Sequence, residues 1–117
     1  MQVIDKTMDL IEYTHRATDK KGQFPLKYRS FILEMQTSSI HIYKLLLKAN
    51  RLPIAGYSSD RKKAQLEAVA LCDELSGLIE LSHRLKIISF DKMEKWQDYL
   101  TPVKNMILAW IKSDSKR

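Results

Sequence analysis

Four stretches of this chain carry apolar residues spaced three and four apart, the rhythm that turns one side of an α-helix toward a core. Ile4, Met8, Ile11 and His15 mark the first, and the polar run "TDKKGQ" ends it, so the spacing predicts a helix over roughly 3–19. Tyr28, Ile32, Met35, Ser39, Ile42, Leu46 and Ala49 mark a second, over roughly 25–51. "RLPIAGYSS", with Pro53, Gly56 and two serines, then reads as the longest loop, and Ser58 or Ser59 offers an N-cap. Ala64, Ala68, Leu71, Leu75, Leu78, Ser82 and Leu85 predict a third helix over roughly 59–86, with small residues early that allow close approach of two axes. Ser89 caps the last, where Met93, Trp96, Leu100, Val103, Ile107 and Trp110 predict a helix over roughly 90–112 and a frayed tail, "SDSKR".

The start of the second helix is unusual. In "FPLKYR", Pro25 suits a first turn and Phe24 can staple onto an apolar residue one turn in. Lys27 and Arg29 stand at the positive end of a helix dipole, where each exposed cation is unfavourable by about 0.3–1 kcal/mol. Pro102 falls inside the fourth stripe and predicts a kink near 98–102 without a break. Short links between amphipathic helices make neighbours of consecutive segments, so the expected fold is all-α: one domain over 1–117, an antiparallel up-down-up-down four-helix bundle.

Composition agrees with that reading, since only three glycines and three prolines stand among abundant Leu, Ile, Lys, Ala and Glu. Cys72 has no second cysteine to pair with, no cationic segment followed by an apolar block opens the chain, and no apolar run approaches the ~20 residues of a membrane span. The expectation is a soluble protein of a reducing cytoplasm, without membrane contact.

The net charge is +6, and its distribution matters more than its size. Between Lys20 and Lys63 there are ten cations (Lys20, Lys21, Lys27, Arg29, Lys44, Lys48, Arg51, Arg61, Lys62, Lys63) and two acids, Glu34 and Asp60. His41, Lys44, Lys48 and Arg51 fall within about 80° of one helix surface at about 100° per residue and form a ridge. Arg61, Lys62 and Lys63 open the next helix. Like charges gathered this way repel in the free protein, and nucleic acid, RNA or DNA, is the largest polyanion they can meet. Tyr28, Tyr43 and Tyr57 are interleaved and offer stacking surfaces, although Tyr28 and Tyr43 also suit a core. No zinc finger, recognition sheet or helix-turn-helix spacing is present, so contact through backbone phosphates is expected rather than sequence readout.

No constellation for catalysis stands out. "ELSH" and "EYTH" place Glu80 before His83 and Glu12 before His15 at the spacing of di-iron bundles, but that architecture also wants a glutamate from each of the other two helices, where only Glu34 and Glu94 are on offer. A buried Cys72 beside an apolar seam is an inert small hydrophobe. The expectation is therefore no catalytic residue, no metal and no cofactor. Asp73, Gly77, Glu80 and Arg84 form a second stripe on the third helix, either a solvated face with a Glu80–Arg84 pair or a polar seam against another subunit, Gly77 allowing close contact.

Taken in order, "FPLKYR", "LLLKANRLP", "LEAVALCDELSGLIELSHRLKIIS" and "MILAWIKS" resemble the four-helix-bundle family that includes the accessory variability determinant of diversity-generating retroelements. A sister branch is the protein encoded in intervening sequences of 23S ribosomal RNA. The resemblance runs from about residue 9 to 113 and lies in the order of short motifs. The ending with Leu108, Trp110 and Ile111 looks more like the retroelement branch, and "RLPIAGYSSDRKK" departs from the turn usual in the ribosomal one. The resemblance implies a barrel-like homopentamer that binds a reverse transcriptase and nucleic acid and assists mutagenic copying of RNA, without catalysis of its own. The alternatives are a ribosomal-intervening-type protein of unknown role and a scaffold that binds only protein.

Overall fold

A computed structural model describes residues 1–19 and 24–117, so Lys20 and Lys21 lie outside the described residues. The described chain forms four α-helices: α1 (Gln2–Thr18), α2 (Arg29–Arg51), α3 (Ile54–Arg84) and α4 (Phe90–Asp114), with a 3-10 turn at Leu26–Tyr28 ahead of α2. Each helix packs against two others, in the cyclic order α1, α2, α3, α4 and back to α1, which is the contact pattern of a bundle. The molecule measures 47 × 21 × 20 Å. Among the described residues no helix is long and apolar enough to cross a membrane.

The second and fourth stripes bury as their spacing predicts. Met35, Ser39, Ile42, Leu46 and Ala49 of α2 and Trp96, Leu100, Val103 and Ile107 of α4 are all buried. Ala64 and Ala68 of α3 are buried as well, and with Ser38 and Ser39 they put small side chains on both sides of the α2–α3 seam. Phe24 is buried ahead of the 3-10 turn, and Tyr28 packs against the same core.

The first stripe is rotated from expectation. Val3, Thr7, Leu10, Thr14 and Ala17 face the core, while Met8 and His15 are exposed and Ile4 and Ile11 half-buried. The reason is hydroxyl satisfaction. Thr7 Oγ1 donates to Val3 O and Thr18 Oγ1 to Thr14 O, each at 2.7 Å, so these threonines bury without an orphaned donor. Thr14 Oγ1 accepts instead from Trp96 Nε1 at 3.1 Å, which ties α1 to α4, and Tyr13 stacks on Tyr99 with centroids 4.7 Å apart.

The long loop expected after α2 is mostly absent. Leu52 and Pro53 make the turn, helical bonding resumes at Ile54, and a kink at Ala55, Gly56 and Tyr57 precedes the regular part of α3. Gly56 has φ +85°, a left-handed conformation that favours glycine. Regular helix therefore begins at Ser58, close to the expected start at 59.

At its other end α3 stops in a Schellman motif: Ile87 N donates to Ser82 O and Lys86 N to His83 O, each at 2.9 Å, with Lys86 at φ 62°. Ser89 Oγ then accepts from Lys92 N and caps α4, as expected. This helix runs through Pro102 without a break and continues to Asp114, past the expected end at 112.

Candidate nucleic-acid interface

His41, Lys44, Lys48 and Arg51 are all exposed on α2, and ten residues at 1.5 Å rise stretch them over about 15 Å. Among the described residues none of the four has a carboxylate within ion-pair distance, the three ion pairs being Arg61–Asp114, Arg84–Glu80 and Lys104–Asp73. Lys62 and Lys63 are exposed at the start of α3. Lys48 and Lys63 share a groove of about 310 Å³ with Tyr57, Asp60 and Glu67, so that part of the surface alternates in sign. Tyr57 is 50 % exposed and offers a free ring, whereas Tyr28 and Tyr43 are half-buried.

Arg61 does not belong to this surface. It was expected beside Lys62 and Lys63, but it is 8 % exposed and its guanidinium is committed inside the molecule. Nε donates to Asp114 Oδ2 at 2.7 Å and Nη2 to Asp114 Oδ1 at 3.2 Å, a forked pair. Nη1 donates to Leu52 O at 2.9 Å and to Ala49 O at 3.2 Å, which also accepts from Leu52 N, so the guanidinium serves two carbonyls at the end of α2. The guanidinium also lies 4.9 Å from the Trp110 ring centroid. One side chain thus closes α2, opens α3 and fastens the last turn of α4. The Arg61 hydrogen bond holds the Asp114 carboxyl below its ordinary 3.8, against the opposing pull of desolvation, and a bond from Gln65 helps.

Sequence reasoning missed Asp114, Gln65 and Trp110 as members of one cluster. Asp114 sits in a polar tail read as frayed, and nothing in "SDSKR" marks one acid as the partner of an arginine far back in the chain.

Lys27, in the 3-10 turn, and Arg29, the first residue of α2, precede the ridge, with Arg29 about 18 Å along the axis from His41, its nearest member, at 1.5 Å per residue. They do not join the ridge. Lys27 Nζ lies 5.3 Å from the Tyr28 ring centroid, which sets one cation against the dipole with an aromatic face in compensation.

The four residues of the polar stripe on α3 are exposed, and three of them make ion pairs within the chain. Asp73 Oδ1 accepts from Lys104 Nζ of α4 at 2.6 Å, and Glu80 lies 3.7 Å from Arg84 on the same helix. Gly77 meets nothing within 4 Å of an added Cβ and lines a groove with Glu34, Ser38, Glu74, Leu78 and Leu81.

His83 Nδ1 lies 3.2 Å from Ile88 O, with Phe90 edge-on to its ring, so it supports the turn before α4. Among the described residues no group of three or more His, Cys, Asp or Glu side chains is placed to hold a metal ion. Burial, with the Asp73 charge beside it, pushes the Cys72 thiol up to about 12 and leaves almost no thiolate at neutral pH.

A comparison of the sequence with protein-family models and with curated proteins finds no match.

Proposed function

We propose that this chain is a non-catalytic accessory protein of a diversity-generating retroelement, which binds nucleic acid through the α2 ridge and the first turns of α3 and works beside that element's reverse transcriptase. The observation that carries the nucleic-acid part is the set of exposed cations outside the ion pairs of the described residues: Lys44, Lys48, Arg51, Lys62 and Lys63, with His41 beside them. Side chains of this kind gain by releasing counterions from phosphates and carry no base specificity. The reverse-transcriptase partner rests on the resemblance of the ordered motifs alone.

The reading includes an up-down-up-down, antiparallel arrangement. It is supported by three side-chain links between α3 and α4, Arg61 to Asp114, Asp73 to Lys104 and Ser76 to Gln97, in which the α4 number falls as the α3 number rises. Each protomer then joins a ring-like homo-oligomer, a homopentamer by the resemblance, with the Asp73–Gly77–Glu80–Arg84 stripe as the proposed seam. A ring would repeat the ridge and multiply its field.

Lys44→Glu, Lys48→Glu and Arg51→Glu together should keep the helical circular dichroism and weaken binding of single-stranded RNA or DNA steeply. If all five Lys and Arg contacts engage, log K should fall with log salt at a slope of about −3.5, near −0.7 per contact. Equal affinity of the triple variant in low salt would remove the ridge from the proposal. Co-purification with a retroelement reverse transcriptase tests the partner separately, and sedimentation equilibrium tests the ring.

A further inference from the structure

Six apolar side chains line the outside of the seam between α1 and α2. Gln36 Nε2 donates to Thr18 Oγ1 at 2.9 Å and Tyr13 stacks on Tyr99, so the Thr18 side of α1 faces α2 and its Tyr13 side faces α4. Round the exterior from the first side to the second, at about 100° per residue, come Ile11, Ile4 and Met8 within an arc of about 60°, and then Glu12 and Asp5. On α2 the exterior beside Gln36 carries Tyr43, Leu47 and Ile40, and then Arg51 and Lys44. Lys48 lies further round, in the groove it shares with Lys63 and Ala64 of α3. Met8 is 40 % exposed and the other five apolar residues are half-buried, so the seam shows an apolar strip of the kind that marks an interaction surface.

The strip has an acidic edge on α1 and a basic edge on α2. Asp5, Glu12, Lys44 and Arg51 are exposed, and none of them belongs to the ion pairs of the described residues. Asp5 and Glu12 are seven residues apart, as are Lys44 and Arg51, which spaces each pair by about 10.5 Å at 1.5 Å per residue. In the antiparallel arrangement proposed above, counting from the Thr18–Gln36 link brings Asp5 level with Arg51 and Glu12 level with Lys44, each within about 3 Å along the axes. A two-fold axis parallel to the helices carries α1 of one copy onto α2 of another without changing that level. Each acid then meets a cation of the second copy, Asp5 with Arg51 and Glu12 with Lys44, on both flanks of the joined apolar strips. A partner of other chemistry would need this layout by coincidence, whereas a second copy supplies it by symmetry.

We infer that the α1–α2 face pairs two copies of this chain about a two-fold axis, and that the pairing masks Lys44 and Arg51 from polyanions. The pairing stands on the face alone, while its consequence for strands rests on the nucleic-acid reading above. The stripe on α3 is left free, so this contact is separate from the seam proposed for a ring. Lys48, Lys62 and Lys63 stay outside the two edges, and a strand that engages the whole ridge must displace the second copy.

Sedimentation equilibrium of the whole protein at low salt tests the pairing. Met8→Asp, at an exposed position, should halve the mass. Asp5→Lys with Glu12→Lys should do the same by setting cation against cation. Lys44→Asp and Arg51→Asp added to that double variant exchange the two edges and should restore the wild-type mass. A wild type with the mass of one chain, a Met8→Asp variant of unchanged mass, or an exchanged variant that stays at half mass would each overturn the pairing.

Fluorescence anisotropy with single-stranded RNA separates the two readings. At concentrations where the wild type is paired, Met8→Asp should bind the RNA more tightly, since Lys44 and Arg51 no longer have to leave a partner. Equal affinity of the two would overturn the masking. If neither binds RNA, the masking falls with the nucleic-acid reading, and the masses alone decide the pairing.

Discussion

Two ion pairs join α3 to α4 at nearly the same distance, Arg61–Asp114 at 2.7 Å and Lys104–Asp73 at 2.6 Å, yet they do different things. At the first, the side chains are 10 % and 14 % exposed and every guanidinium branch also serves a carbonyl or a second carboxylate oxygen. At the second they are 38 % and 58 % exposed, and water competes for both partners. Contact distance is therefore a poor guide to what an ion pair contributes. Burial and the number of further bonds decide it, because a buried partner left alone keeps its desolvation penalty and an exposed one is resolvated.

That contrast can be broken most forcefully at Arg61. Arg61→Ala should destabilise the protein by about 3–5 kcal/mol in urea unfolding, as Asp114 loses its charge partner and Leu52 O and Ala49 O lose the guanidinium bonds. Arg61→Lys should recover only part of this, since an ammonium cannot reproduce the fork. The same pair predicts a pH signature. Asp114 has a folded pKa below the unfolded one, so its stabilisation is complete above the ordinary carboxylate value of 3.8 and is lost as pH falls through the folded value. The melting temperature of the wild type should drop below about pH 4 more steeply than that of Arg61→Ala.

A neutral buried link gives the next step down. Thr14→Val removes the acceptor of Trp96 Nε1 in a fully buried site and should cost about 1–3 kcal/mol, read by the same unfolding curve. Ser89→Ala, which removes the cap of α4, should cost about 1 kcal/mol. Lys104→Ala closes the series at about 0.5 kcal/mol or less, and a loss above about 2 kcal/mol there would undo the comparison. Cys72 supplies a separate check on the same seam. Its thiol should resist iodoacetamide in the native protein at about pH 8 and react once the chain is unfolded.

The helical class and the faces of α2 and α4 were legible because Ile, Leu, Met and Trp recur there with the period of the helix. In α1 the expected stripe of Ile4, Met8 and Ile11 lies at the edge of the buried face, whose centre is shared by Val3, Leu10 and Ala17 with Thr7 and Thr14. Threonine hydroxyls that bond their own helix backbone can lie in a core, and a hydropathy pattern counts them as polar. The start of α3 was hidden because Pro53 and Gly56 punctuate a turn and a kink in the same way.

The candidate surface was legible in part. Lys44, Lys48, Arg51, Lys62 and Lys63 are exposed as their helical spacing suggests, while Arg61 next to them is withdrawn. Only a partner distant in sequence distinguishes Arg61 from its neighbours, and composition does not carry that information. Gln65 was unreadable for the same reason, since its bond to Asp114 exists only once the packing around it does.

Lys86 turns the end of α3 with a left-handed backbone where most chains place glycine. Some thermal tolerance is thereby left unclaimed at a solvent-exposed position away from the basic ridge. A single change there, Lys86→Gly, should raise the melting point while leaving both surfaces as they are, which makes that corner a starting place for a sturdier variant to carry through binding experiments.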